Sequence, residues 1–149
     1  MAISYGKMVI IGAGKVGSAI LNSVLRMNIL DEIVVVNRNQ KKALGEVLDA
    51  SHTTAFAYSA NANIHVGGYE ECADAKIIII AAGISRKPGQ TRLELAKTNV
   101  SIARSITQKI MEYAKDPILV VVSNPVDILT MAVLQESGLP ANQVIGTGT

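Results

Sequence analysis

The stretch Gly12-Ala13-Gly14-Lys15-Val16-Gly17 decides the fold of this 149-residue chain. It directly follows the apolar run Met8-Val9-Ile10-Ile11 and opens a stretch with helical character. Gly12 permits a tight turn, Gly14 leaves room for a ligand to approach the backbone, and Gly17 lets the helix pack against the strand. The N-terminus of that helix offers free N–H groups and the positive end of a dipole. The spacing therefore predicts a turn that holds a pyrophosphate.

Short β-branched runs alternate with longer helical stretches along the chain. Runs that are apolar almost throughout indicate strands covered on both faces. Strand–helix alternation with right-handed crossovers predicts an α/β fold with a doubly wound, six-stranded parallel sheet, the Rossmann NAD(P)-binding form, over residues 1–149. Thr91 is expected to cap the third helix and Gly138 to end the fourth. The predicted strands are 8–11, 33–36, 64–66, 77–80, 118–122 and 144–145, and the predicted helices are 14–28, 40–51, 91–114 and 126–137.

Composition excludes several classes of protein. Hydrophobic residues make up 49% of the chain and the formal net charge is only +2, without the basic stripe and interleaved aromatic residues of a nucleic-acid binder. No apolar run approaches the roughly 20 residues that span a bilayer, and the N-terminus lacks a signal-peptide pattern. The single cysteine, Cys72, cannot form an internal disulfide, which is typical of a reducing compartment. We therefore expect a cytoplasmic protein with no nucleic-acid or membrane partner and no metal.

The residue that follows the second strand bears on the choice of cofactor. Asn37 lies 20 positions after Gly17, where an acidic residue is expected to bond the adenosine ribose and to repel a 2′-phosphate. Asn37 can bond a hydroxyl but has no charge to repel phosphate, and Arg38, Lys41 and Lys42 follow it. Either the site tolerates NADP or this is an ordinary solvated basic loop, and both interpretations stay open. NAD is the first expectation, with NADP as the alternative.

Four further segments follow the later strands in order. Ala81-Ala82-Gly83 and then Arg86-Lys87-Pro88-Gly89-Gln90-Thr91-Arg92-Leu93 come after the fourth strand. Ser123-Asn124-Pro125-Val126-Asp127 follows the fifth strand, and Val144-Ile145-Gly146-Thr147-Gly148-Thr149 closes the chain. Together with the glycine turn, these segments resemble the NAD-binding domain of the lactate/malate dehydrogenase family over essentially the whole chain. The flanking segments 90–95 and 135–140 are most similar to the L-lactate branch.

The resemblance implies roles in cofactor binding. The glycine turn would line the pyrophosphate, Asn37 and Lys42 would lie at the adenosine end, and Thr147 would contact the nicotinamide side. Tyr69, Gly83 and Ile84 would flank the cofactor. The full set that the resemblance implies is Gly12, Gly14, Lys15, Val16, Gly17, Asn37, Arg38, Lys42, Tyr69, Gly83, Ile84, Asn99, Val122, Asn124 and Thr147.

The resemblance also implies a substrate end with a mobile loop from Ser85 to Thr91, which would close and exclude water. Arg92 would polarise the substrate carbonyl, and Asn124, held by a cis bond to Pro125, would bond the same oxygen. These two residues are the expected catalytic groups, and Arg86, Arg92, Asn124 and Asp127 are the expected substrate-binding groups.

Arg86 leaves the substrate open between two acids. In the family, this position resembles the specificity switch, where Gln suits lactate and pyruvate and Arg suits malate and oxaloacetate. A bidentate cation there favours a dicarboxylate, whereas the flanking segments favour the lactate branch. We expect an L-lactate/pyruvate enzyme of fermentative carbohydrate metabolism, with malate/oxaloacetate as the alternative.

Proton transfer in this family uses a His held by an Asp, and neither His52 nor His65 lies in a matching motif. We therefore expect the cofactor half of an enzyme, inactive alone, whose C-terminal catalytic domain is absent from this chain. The full-length protein is expected to be a homo-oligomer, either a dimer or a tetramer. A regulatory module that senses NAD(H) without catalysis is the alternative from another class, and it would not need the arginine loop.

Overall fold

The computed structural model describes residues 6–53, 62–86 and 88–148. Within these ranges, six strands alternate with four α-helices. The strands are β1 (Lys7–Ile11), β2 (Glu32–Val36), β3 (Asn63–Val66), β4 (Ile77–Ile80), β5 (Ile118–Val121) and β6 (Val144–Gly146). The α-helices are α1 (Lys15–Met27), α2 (Gln40–Thr53), α3 (Arg92–Met111) and α4 (Val126–Ser137), with short 3-10 helices at Tyr69–Cys72 and Ala141–Gln143.

All six strands run parallel in one sheet, in the order β3-β2-β1-β4-β5-β6. The chain moves outward from β1 to β3 and then returns to place β4 on the other side of β1. The strand order therefore reverses between β1 and β4, and ligands of such sheets bind outside the carboxyl ends of the strands at that point. The predicted doubly wound sheet is confirmed.

The core lies on both faces of the sheet because successive side chains of a strand point to opposite sides. In β1, Val9 and Ile11 pack with the side of the sheet that α3 and α4 cover. Met8 and Ile10 pack with the buried leucines of α1 and the buried residues of α2 on the other side. Double coverage explains why β1, β2 and β4 are apolar except for Lys7 and Glu32 at their first positions. Among the described helices, none is long and apolar enough to cross a membrane.

The helix ends follow local chemistry. Thr91 caps α3 as predicted, with its hydroxyl accepting from the Glu94 N–H while the Glu94 side chain accepts from the Thr91 N–H. Gly138 ends α4 in the left-handed conformation at φ 66°. The predicted α3 ran three residues too far, to 114. The helix ends at Met111, and the carbonyl of Ile110 accepts from both the Tyr113 N–H at 3.1 Å and the Ala114 N–H at 2.8 Å in the turn that follows.

A buried cation lies at the amino end of β1. Lys7 is only 8% exposed, and its Nζ forms a hydrogen bond with Glu71, lies 3.0 Å from Asp74 Oδ1 and lies 4.0 Å from Glu32 Oε2. Burial acts to lower the pKa of Lys7, but the hydrogen bonds to Glu71 and Asp74 and the charge of Glu32 outweigh it, so the pKa is raised. His65 Nε2 joins the same network 2.7 Å from Glu32 Oε1. We call Lys7, Glu32, His65, Glu71 and Asp74 the amino-edge network.

Candidate functional site

A cavity of about 590 Å³ lies at the carboxyl ends of β1, β2 and β4, where the strand order reverses. The glycine turn, the end of β2, the turn after β3, the loop after β4 and one face of α3 form its walls. We call it the dinucleotide cavity. The residues of the cofactor prediction that line it are Gly12, Gly14, Asn37, Arg38, Lys42, Tyr69, Gly83 and Ile84.

Close packing excludes a side chain at two of the three glycine positions of the turn. Gly12 has a φ of 112°, and a Cβ there would lie 2.7 Å from the backbone nitrogen of Ala82. A Cβ on Gly17 would overlap the carbonyl oxygen of Gly12. At Gly14, by contrast, no atom lies within 4 Å of where a Cβ would be. The turn therefore has one open face, which is where a pyrophosphate can approach the backbone.

The N-terminus of α1 faces this opening with its polar groups unsatisfied by side chains. Gly14 is the N-cap, no side chain caps the helix, and its first turn contains no acidic residue. Free N–H groups and the positive end of the dipole favour an anion. Lys15 is exposed and Gly17 is buried, and neither lines the cavity. The turn and this helix end therefore fit the pyrophosphate of a dinucleotide.

Asn37 ties the end of β2 to the glycine turn. Its Oδ1 accepts a hydrogen bond from the Ala13 N–H at 3.3 Å, and its Nδ2 donates to the carbonyl of Asn39 at 3.0 Å. Asn39 in turn accepts from the Lys42 N–H through Oδ1 at 3.1 Å, at the start of α2. The neutral amide of Asn37 is therefore held at the cavity wall by both of its polar atoms.

A second cavity, of about 350 Å³, shares the wall formed by Ala81, Gly83 and Ile84. We call it the substrate cavity. Buried Asn99 fixes this wall, because its Oδ1 accepts from the Ile84 N–H at 2.9 Å and its Nδ2 donates to the carbonyl of Asn124 at 2.8 Å. The residues of the site prediction that line it are Val16, Gly83, Ile84, Arg86, Asn99, Val122 and Asn124.

The loop after β4 brings Arg86 to the substrate cavity but leaves Arg92 outside it. The Arg86 Nε donates to the carbonyl of Gln90 at 2.8 Å, and the two terminal amino groups of the guanidinium are further donors. Arg92 is the exposed first residue of α3. The predicted mobile loop includes Lys87, which lies outside the described residues. The Asn124–Pro125 bond is cis, as the resemblance implied.

Besides Lys15, Gly17 and Arg92, two more residues of the site prediction line neither cavity. Asp127, in the first turn of α4, lines a groove between α3 and α4 together with Arg104. Thr147 is exposed after β6, and its N–H donates to the carbonyl of Val121 at 3.1 Å. The structure therefore brings most of the predicted site residues together around the two cavities, but not these five.

Sequence reasoning missed one wall of the dinucleotide cavity. Ser101, Ser105 and Lys109 of α3 line it, and so do Gly67 and Gly68 after β3. The signal was the four-residue spacing in α3, which places the three polar side chains on one helix face. Lys109 also lies over the ring of Tyr69, with its Nζ 5.4 Å from the ring centroid.

The carboxylates and imidazoles of the described residues lie outside the two cavities. Among the described residues that line the two cavities, there is no carboxylate and no imidazole. His65 belongs to the amino-edge network, and His52 is exposed on α2. Burial raises the pKa of Cys72 to about 12, so its thiol stays protonated. The described site can bind and orient anionic molecules, and the residues described as lining it include no carboxylate or imidazole that could act as a general base.

Comparison with known proteins agrees with this geometry. The profile of the lactate/malate dehydrogenase NAD binding domain matches residues 6–146. L-lactate dehydrogenase 2 of Clostridium acetobutylicum is 54% identical over 145 residues, which cover 96% of this chain and 45% of that protein. Among solved structures, the ligands-bound minor L-lactate dehydrogenase of Enterococcus mundtii has a TM-score of 0.93 and 48% identity, with 97% of this chain and 46% of that chain covered.

The malate dehydrogenase of Aeropyrum pernix is also similar, with a TM-score of 0.88 and 35% identity over 95% of this chain and 46% of that chain. This chain therefore spans less than half the length of these relatives. The glycine turn, the open α1 N-terminus and the matched residues point to one conclusion. The chain belongs to the lactate/malate dehydrogenase family as its NAD-binding domain, and its cofactor is NAD.

Proposed function

We propose that this chain supplies the NAD-binding half of an L-2-hydroxy acid dehydrogenase that interconverts L-lactate and pyruvate. The observation that carries the proposal is the wall that the dinucleotide and substrate cavities share, formed by Ala81, Gly83 and Ile84. One cavity fits a dinucleotide, and the other offers Arg86 and Asn124 to a small anionic molecule beside it. The names of the relatives at 54% and 48% identity favour lactate as the hydroxy acid.

The cofactor residues divide along the dinucleotide cavity. Gly12, Gly14 and the N–H groups of α1 would hold the pyrophosphate, and Asn37 with its basic neighbours would hold the adenosine end. When bound, NAD supplies the group that accepts or gives up hydride. The remaining cofactor-binding assignments that we propose are Lys15, Val16, Gly17, Arg38, Lys42, Tyr69, Gly83, Ile84, Asn99, Val122, Asn124 and Thr147.

At the substrate end, we assign the orientation of the substrate to groups on two loops. The Asn124 amide would donate to the carbonyl oxygen of the substrate, and Arg92 would polarise the same oxygen once the loop before α3 closes. Closure would exclude water and strengthen both interactions. Asp127 would contribute from the first turn of α4, although it lines a different groove. The general acid and base would come from a second domain.

Arg86 gives a second candidate, a malate/oxaloacetate enzyme. The guanidinium lines the substrate cavity, and its two terminal amino groups match the geometry of a second carboxylate. The test is the ratio of kcat/KM for pyruvate to that for oxaloacetate in the full-length protein, before and after Arg86→Gln. We expect the unsubstituted protein to favour pyruvate, and we expect the substitution to raise the ratio by about tenfold, since it removes a charge-assisted hydrogen bond.

The matched control is Arg26→Gln, because Arg26 is exposed in the last turn of α1 and lines neither of the two cavities. A preference for oxaloacetate in the unsubstituted protein would replace the lactate assignment with the malate one. Failure to reduce either acid with NADH would contradict the dehydrogenase function itself. An NAD(H)-sensing module is less well supported, because it has no use for the arginine and asparagine of the substrate cavity.

We also propose that the full-length protein is a cytoplasmic homo-oligomer with a small 2-hydroxy or 2-keto acid as its substrate. Leu44 and Leu48 support association, since they lie one helical turn apart on α2 and are 50% and 49% exposed. The buried free thiol of Cys72 is compatible with a reducing compartment. Light scattering of the full-length protein before and after Leu44→Ser tests the association, which the substitution should weaken.

A further inference from the structure

The adenosine end of the dinucleotide cavity lacks the charge that excludes a phosphorylated ribose. An acidic residue after β2 both bonds the 2′-hydroxyl and repels a 2′-phosphate. Asn37 occupies that place, and its amide is fixed by the hydrogen bonds to Ala13 and Asn39. The second hydrogen of its Nδ2 remains a donor. A neutral donor held in this position can donate to either a hydroxyl oxygen or a phosphate oxygen.

Three cations line the same cavity as Asn37. They are Arg38, Lys42 and Lys109, and in the described part of the chain none of them pairs with a carboxylate. The carboxylate of Glu70 accepts a hydrogen bond from the Gly68 N–H at 3.1 Å and does not line the cavity. The positive charge of the cavity wall is therefore not neutralised by the protein within the described residues.

The start of α2 adds to this positive end. Asn39 caps the helix by accepting from the Lys42 N–H, and the first turn of α2 contains no acidic residue. Arg38 and Lys42 therefore flank a helix N-terminus, where an anion is favoured by the dipole as well as by the side chains. Arg38 and Tyr69 line the same cavity.

We propose that this cavity binds the 2′-phosphate of NADP(H) as well as NAD(H), through Arg38 and Lys42, with Asn37 as the residue that permits it. The proposal rests on the dinucleotide cavity being the cofactor site of the proposed function. It adds a phosphate subsite at the junction of β2 and α2.

The test is the affinity of this chain for NADH and NADPH, measured separately by cofactor fluorescence at low ionic strength. We expect NADPH to bind within about tenfold of NADH. Asn37→Asp should lower the NADPH-to-NADH affinity ratio by about tenfold or more, because a carboxylate placed beside the phosphate repels it. Competition by 2′,5′-ADP and by 5′-AMP isolates the added phosphate, and the former should be the stronger competitor.

Lys42→Gln should lower the same ratio by about tenfold, since a charge-assisted hydrogen bond contributes on the order of that factor. Lys41→Gln is the matched control, because Lys41 is an exposed neighbour that does not line the cavity, and its ratio should stay unchanged. Arg38→Gln provides a second variant if Lys42→Gln fails to fold.

Tight NADH binding with NADPH more than about 100-fold weaker would overturn this inference and leave the proposed function standing. The inference would also be overturned if Asn37→Asp, Lys42→Gln and Arg38→Gln all left the NADPH-to-NADH affinity ratio unchanged. If neither NADH nor NADPH binds, the assignment of the cavity as the cofactor site fails as well.

Discussion

Positive charge is placed differently at the two ends of the strands, which we call the amino edge and the carboxyl edge of the sheet. At the amino edge, the ammonium of Lys7 is buried and bonded to Glu71 and Asp74. At the carboxyl edge, Arg38, Lys42 and Lys109 line an open cavity without a carboxylate among its described lining residues. Removing a cation that carboxylates neutralise within the fold is destabilising, whereas cations without a carboxylate partner around a concave surface remain available to an anionic ligand. The comparison separates a structural charge cluster from a binding site.

The largest effect on cofactor binding is expected from a substitution that deforms the glycine turn at the carboxyl edge. In Gly17→Ala the added Cβ would overlap the Gly12 carbonyl oxygen, so α1 must shift and the phosphate-binding turn must deform. We expect the Kd for NADH to rise by at least about tenfold and the free energy of unfolding to fall by about 1–3 kcal/mol. Fluorescence titration and urea unfolding measure the two effects.

Gly45→Ala is the control for that substitution. Gly45 lies within α2, and a Cβ there would have no atom within 4 Å. Alanine should therefore stabilise the helix by about 0.5–1 kcal/mol and leave NADH binding unchanged. Equal responses of the two glycine variants would show that close packing at Gly17 is not what shapes the turn.

At the amino ends of the strands, we expect an effect on stability alone, without a loss of NADH affinity. Lys7→Met keeps the length of the side chain but removes the cation from Glu32, Glu71 and Asp74. We expect the free energy of unfolding to fall by about 1–3 kcal/mol, because the carboxylates are left without their partner but are partly exposed and keep some hydration. Lys97→Met, on the exposed surface of α3, is the control and should change the free energy of unfolding by less than about 0.5 kcal/mol.

The same two edges show which features could be predicted from the sequence and which could not. The glycine turn, the strands and Thr91 were predictable because each depends on neighbours within a few positions. The pairing of Lys7 with Glu71 and Asp74 spans 64 and 67 positions, and no local pattern encodes such a contact. The polar face of α3 was also missed, since the spacing of Ser101 and Ser105 becomes informative only once the helix is known to border the cavity.

The resemblance supplied residues that local patterns could not. Asn99 is an example, because an asparagine within a helix is ordinary until its hydrogen bonds to Ile84 and Asn124 are known. The resemblance also assigned site roles to Asp127 and Thr147, but these two residues lie outside both cavities. Their assigned roles remain predictions, because they depend on groups beyond the described site.

The smallest expected effect is a pH dependence of the free energy of unfolding, which arises at the amino edge. The hydrogen bond that His65 donates to the Glu32 carboxylate raises the pKa of His65, against the opposing effect of burial, and the carbonyl of Val66 and the charge of Glu71 add to the increase. Because the folded pKa lies above the unfolded value of about 6.5, protonation of His65 favours the fold. This stabilisation is fully present below about pH 6.5 and is lost as the pH rises through the folded pKa.

We expect the loss to be at most about 1 kcal/mol, since about a third of the His65 side chain is exposed and solvent screens the pair. Urea unfolding at about pH 6 and about pH 8 measures it, and His65→Gln should remove the difference that this residue contributes. The control is His52→Gln on the exposed face of α2, which should leave the pH dependence intact. A pH dependence that persists in His65→Gln would assign it to another group.

The contrast between the edges is tested most directly by titrating the unsubstituted chain and Lys7→Met with NADH under conditions where both are folded. We predict one NADH bound per chain with the same Kd in both proteins, because the amino-edge network stabilises the fold and the carboxyl edge alone holds the cofactor. Absence of NADH binding by the unsubstituted chain would contradict the account. So would a Kd that rises about tenfold in folded Lys7→Met, because the two edges would then not be independent.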